Sequence, residues 1–121
     1  MTHPGCVQDD VRGVLAAERA AVVQRAAELR GELDRLIQDS VGANADDEHD
    51  PEGATLAFER QHTAALLARA RQQIAEIDAA IGRLDEGTYG ICVRCGEPVG
   101  QDRLAARPAA ATCIRCARLT P

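Results

Sequence analysis

From Leu67 to Leu84 the apolar residues fall at steps of three and four: Leu67, Ala70, Ile74, Ile77, Ile81 and Leu84. That is the a/d seam of a coiled coil, and it calls for a helix whose stripe is covered by another helix. A similar seam lies upstream. Leu15, Val22, Leu29 and Leu36 repeat every seven residues, with Ala26 and Leu33 between them. In its N-terminal half the alternate seam positions are Arg12 and Arg19. There the seam is looser, or shifted toward Val11 and Ala16, with the arginines snorkelling from it.

The spacing predicts one helix over about 7–39 and another over about 51–86. Asp50 followed by Pro51 is a start signal, because Asp caps free N–H groups and Pro is tolerated at the first helical position. Gly87 is a stop. Each helix would be about 45 Å long at ~1.5 Å per residue. The connecting segment, SVGANADDEHD, is short and rich in turn-forming residues, so the helices should fold back as an antiparallel hairpin. The alternative is that one or both stripes mediate dimerisation; the hairpin predicts a monomer. His49 and His62 stand alone at exposed positions, with no metal or catalytic role expected.

Composition supports helix packing by small side chains. Aromatics are 2% of the 121 residues, with no Trp. A chain this short needs an extra staple. Net charge is −5, and every one of the 14 basic residues is Arg. Residues 89–121 carry +3 and residues 1–88 carry −8. An acidic hairpin with a weakly basic end is poorly suited to tracking a phosphate backbone, and better suited to a partner with a basic surface. No apolar run approaches the ~20 residues that span a bilayer. MTHPGCVQDD has neither the basic start nor the apolar core of a secretory signal. The expected setting is a reducing cytoplasm, where paired cysteines more often mean metal than disulfide.

The C-terminal stretch supplies the staple. Cys92-x-x-Cys95 is followed after 17 residues by Cys113-x-x-Cys116. Two residues between cysteines let both thiolates reach one ion, and four thiolates complete a tetrahedral Zn²⁺. Four cysteines leave no open position for water, so the expected metal is one structural zinc and not a catalytic one. A redox CxxC would need a βαβ setting, which is missing here. Cys6 is left over as an unpaired thiol. The same spacing occurs in GATA-type DNA-binding fingers, but those rely on a basic tail, and ARLTP after Cys116 is not one. No sequence-specific DNA binding is expected.

The stretch YGICVRCGEPVGQDRLAARPAAATCIRC resembles the zinc finger of the DksA/TraR family of bacterial transcription factors. Tyr89, Gly90, Cys92, Cys95, Gly96, Val99, Arg103, Leu104, Ala106, Pro108, Cys113 and Cys116 match its pattern. The hairpin before it is similar to the family's coiled coil in length and placement. The resemblance implies a regulator that binds RNA polymerase, inserting the coiled coil into the secondary channel so that an acidic tip approaches the catalytic centre. The family pattern at the tip is Asp-x-x-Asp-x-Ala. A gapless count from the finger puts His49, Glu52 and Ala54 on those positions; sliding by one gives Asp50, Gly53 and Thr55. The candidate effector residues are therefore His49, Asp50, Glu52 and Ala54. Some members also bind the alarmone ppGpp through basic residues on the second helix and after the last cysteine. Arg69 and Arg71 are the candidate contacts here, while Glu76 and Ala117 stand where Lys would be wanted, which argues against that ligand.

The expected fold is mainly α: a long antiparallel coiled-coil hairpin with a small C-terminal four-cysteine zinc finger. The expected divisions are a flexible N-terminus at 1–10, the hairpin at 11–88 with its tip at about 40–53, and the finger at 89–121. The expected function is modulation of transcription initiation through RNA polymerase, with no membrane association. The alternative is a zinc-stapled adaptor binding another protein or nucleic acid. An enzyme is not expected, because no nucleophile is paired with a base and no metal position is open.

Overall fold

The computed structural model describes residues 4–43 and 51–119, with side chains described for 9–41 and 53–119. Four helices follow in order: α1 (Pro4–Ala43), α2 (Pro51–Glu86), α3 (Gln101–Ala106) and α4 (Ile114–Leu119). The observed class is the expected one: two long helices in contact, then a cysteine-bearing segment, with no strand among the described residues. The α2 bounds coincide with the start and stop signals. α1 is longer than its seam suggested, starting at Pro4 and continuing through Ala43. A proline fits the first turn of a helix because its missing N–H is not needed there.

The end of α2 is set by a glycine. Gly87 has φ 80°, a left-handed conformation that suits a residue without Cβ. Its N–H donates to the Leu84 carbonyl at 3.3 Å, and the Thr88 N–H donates to the Arg83 carbonyl at 2.9 Å. These two bonds form a Schellman motif, which satisfies carbonyls the helix would otherwise leave unpaired.

Residues divide into two compact units, Met1–Ala20 with Ile74–Pro121, and Ala21–Gln73. In the second unit Leu29, Leu67 and Ala70 are buried together, with Val22, Ala26, Leu33 and Leu66 packed against them. Ser40 and Thr63 are buried polar residues of this unit. The Ser40 hydroxyl donates to its own helix, at the Leu36 carbonyl, over 2.8 Å.

In the first unit Leu15, Ile77, Ala80 and Leu84 are buried. Burying a Leu or Ile side chain is worth about 1.5–3 kcal/mol relative to leaving it exposed. Arg12 and Arg19 do not merely snorkel. Arg12 Nη2 meets Asp85 Oδ1 at 2.6 Å, and Arg19 Nε meets Asp78 Oδ1 at 2.6 Å. The arginines are one heptad apart ascending α1 and the aspartates one heptad apart descending α2, so the helices pair antiparallel here. Val11 is half-buried while Ala16 is exposed, so the seam does not shift onto Ala16.

Candidate metal centre

The Cys92–Cys95 pair sits on a tight turn just after α2. Gly96 donates its N–H to the Cys92 carbonyl at 3.0 Å, and Cys92 donates its own to the Glu97 carbonyl at 2.8 Å. Gly96 has φ 75°, so the residue after the pair must tolerate a left-handed backbone. The chain then returns through an isolated bridge between Ile91 and Pro98. The second pair is carried on α4. Ala117 N–H bonds to the Cys113 carbonyl at 2.9 Å, so Cys113 opens the helix and Cys116 lies in its first turn.

The matched residues that are not cysteines hold these two pieces together. Tyr89 Oη donates to the Pro108 carbonyl at 2.8 Å, and Arg103 Nε donates to the Thr112 carbonyl at 2.8 Å. Gly90 has φ 87°, and a Cβ there would meet Leu104 Cδ1 at 3.5 Å. Leu104 packs against the buried cluster of Cys92, Val99, Cys113 and Cys116. Arg83 also reaches from α2 to the Ala109 carbonyl at 3.4 Å. The sequence pattern named Tyr89, Arg103 and Leu104 but not these carbonyl partners; Arg83 carried no sequence signal.

The four sulfur atoms lie within 4.8 Å of one another, and none is in a disulfide. Cys92, Cys113 and Cys116 are buried and Cys95 is exposed. A tetrahedron with Zn–S bonds of about 2.3 Å has edges of about 3.8 Å. Cys95 Sγ and Cys113 Sγ stand 3.8 Å apart. The donor set therefore fits a tetrahedral ion with little rearrangement. Of the buried residues in this cluster, only Val99 is not a cysteine. A segment with that little apolar core needs the ion to hold it together.

The electrostatics agree. Backbone N–H groups of Cys95 and then Cys113 hold the Cys92 thiol down, to about 6. The Cys116 N–H lowers Cys113. Cys116, hydrogen-bonded to the Cys113 sulfur and desolvated, is pushed up to about 12. Thiolates this close would repel one another, so the four thiols part with their protons unequally. A divalent cation held by Cys92, Cys95, Cys113 and Cys116 would supply the charge that lets all four ionise.

Of the tip residues, Ala54 is exposed in the first turn of α2. Glu52 belongs to the same helix, but its side chain lies outside the described residues, as do His49, Asp50 and the Cys6 side chain. The proposed Asp50 cap is likewise outside them. Arg69 and Arg71 are both exposed on α2. No helix among the described residues is long and apolar enough to cross a membrane.

Fold and cysteine cluster together define a four-cysteine zinc-finger protein built on a pair of long helices. Residues 87–119 match the family model described as the prokaryotic dksA/traR C4-type zinc finger. The RNA polymerase-binding transcription factor DksA of Salmonella typhimurium is 34% identical over 97 residues, covering 76% of this chain and 61% of that protein. Its namesake from Caulobacter vibrioides is 50% identical over 42 residues, covering 35% of this chain and 30% of that one. The chain thus spans less than two thirds of the length of these curated relatives. The solved structure of transcription factor DksA2 from Pseudomonas aeruginosa superposes with TM-score 0.73 at 32% identity, covering 93% of this chain and 81% of that one. The chain belongs to the DksA/TraR family.

Proposed function

We propose that this protein is a transcription regulator that binds RNA polymerase and modulates initiation by placing the α1–α2 tip in the secondary channel. The observation that carries this is the extent of the likeness: 93% of the chain follows a solved transcription factor, helices and finger alike. Relatives that carry the same finger are named for binding RNA polymerase. The acidic helical segment, with −8 over residues 1–88, complements a basic surface.

In this reading Cys92, Cys95, Cys113 and Cys116 hold one structural zinc. The ion supplies folding energy and no chemistry. Residues 1–10 form the N-terminal segment, 11–88 the hairpin and 89–121 the finger. His49, Asp50, Glu52 and Ala54 form the effector tip. The protein acts as a cytoplasmic monomer, without enzymatic activity or sequence-specific DNA binding. Any alarmone contact falls to Arg69 and Arg71, with Glu76 and Ala117 disfavouring it.

The test is binding to core polymerase and the lifetime of its open complexes. The parent should bind and change that lifetime. Asp50→Asn combined with Glu52→Gln should retain binding and weaken the change severalfold. A double variant that acts like the parent sinks the tip mechanism. Absence of polymerase binding sinks the function and leaves the adaptor reading.

A further inference from the structure

The first unit contains a concavity that neither the metal centre nor the helix pairing fills. The start of α1, the turns of the finger and α3 border a cavity of about 600 Å³, all of it within this one unit. Val11 and Val14 from α1, Leu104 and Ala105 from α3, and Pro108 supply much of its apolar lining. Val14 is 52% exposed, so apolar surface is left open to water here. The polar groups in the lining are few and lean one way. Asp10 is exposed and has no ion pair or hydrogen bond among the described residues. Tyr89 also lines the cavity, and its Oη already donates to the Pro108 carbonyl at 2.8 Å, so toward a ligand that oxygen can only accept. Gln101 offers an amide, which serves in either role. No arginine is among the described lining residues, on a chain whose 14 basic residues are all Arg.

We propose that this cavity binds a small organic cation, with an apolar body and one ammonium group. The volume falls within the roughly 300–1,000 Å³ of small-ligand sites, which pair a mainly apolar lining with a few polar groups that fix orientation. An apolar body takes the place of water against Val11, Val14 and Leu104. The ammonium is the complement of the polar groups: it only donates, while the Asp10 carboxylate and Tyr89 Oη only accept. A carboxylate or phosphate ligand would meet the like charge of Asp10 and find no cation in return. Three separate stretches of chain make the lining concave, which suits a compact ligand better than the flat face of a second protein. Leu104 also packs against the buried cysteine cluster, so a bound ligand bridges α1 to the finger.

The zinc-loaded full chain, ¹³C-labelled at its Val and Leu methyls, tests this by NMR with three matched probes: phenylbutylammonium, phenylbutanol and phenylbutyrate. With the ammonium the Val11, Val14 and Leu104 signals should shift and saturate, while that of exposed Val41 stays still. The ammonium should bind more tightly than the alcohol, and the carboxylate most weakly. Asp10→Asn should weaken the ammonium about fivefold and leave the alcohol unchanged. Ala105→Phe, which puts a ring into the cavity, should abolish saturation by all three. Native mass spectrometry for zinc and circular dichroism for helix separate lost binding from lost fold. Equal binding of the three probes overturns the proposal, as does a preference for the ammonium that survives Asp10→Asn, or saturation that survives Ala105→Phe. Shifts of the same methyls on concentrating the protein alone also overturn it, because they make a second copy of the chain the occupant.

Discussion

Cys113 carries two requirements at one position. Its sulfur belongs to the cluster and its carbonyl receives the first bond of α4. Cys113→Ser keeps a residue well suited to open a helix and removes one thiolate, so it isolates the metal requirement. Native mass spectrometry should show one zinc per parent chain and none, or a weakly held ion, in the variant. Asp78 carries a different kind of dependence. The Arg19 guanidinium bonded to it holds its carboxyl below the ordinary aspartate range. A carboxyl with a lowered native pKa stabilises the fold above its unfolded value and loses that contribution as pH falls through the native value. The parent should therefore melt slightly above Asp78→Asn at neutral pH. The gap should close below about pH 4, where the unfolded aspartate takes up its proton. The gap should be small, because the pair is exposed.

Helices were the most legible part of the sequence. α2 matched because its signals are local: Pro51 at its first position, Gly87 after it, and a regular seam between. Ala80 carries no such signal. It is fully buried, yet an alanine on an alanine-rich helix looks the same in sequence whether it faces core or water. Arg12 and Arg19 were visible as seam irregularities, but their partners lie some sixty to seventy residues away in the chain. Within the finger the cysteine spacing exposed the site at once. The carbonyls that receive Tyr89, Arg103 and Arg83 were illegible, because backbone acceptors have no side-chain signature. Two substitutions test the helix energetics by urea unfolding. Ile77→Ala empties a side chain that is 1% exposed, and should cost about 2–5 kcal/mol. Gly87→Ala forces a Cβ into φ 80°, and should cost about 1–2 kcal/mol.

The molecule rests on two kinds of cohesion. The cluster around Leu29, Leu67 and Ala70 is aliphatic and needs no ligand. The cluster around Val99 is mostly cysteine. Chelating the zinc should therefore act selectively. Amides across 87–119 should lose their protection from hydrogen exchange, while those beside Leu29 and Leu67 keep theirs. Uniform loss of protection would show that the aliphatic cluster depends on the ion.

The two ion pairs near the finger also bear on how the helices find their alignment. A heptad seam is permissive, since sliding one helix by seven residues still brings apolar residue against apolar residue. Here such a slide is penalised in either direction. One slip sets Arg12 against Asp78 but brings Arg19 to position 71, itself an arginine. The other keeps Arg19 on an aspartate, Asp85, but carries Arg12 past the end of α2 to position 92. Arg12, Arg19, Asp78 and Asp85 thus proofread the hairpin, each unremarkable as a source of stability and decisive only when the alignment is wrong.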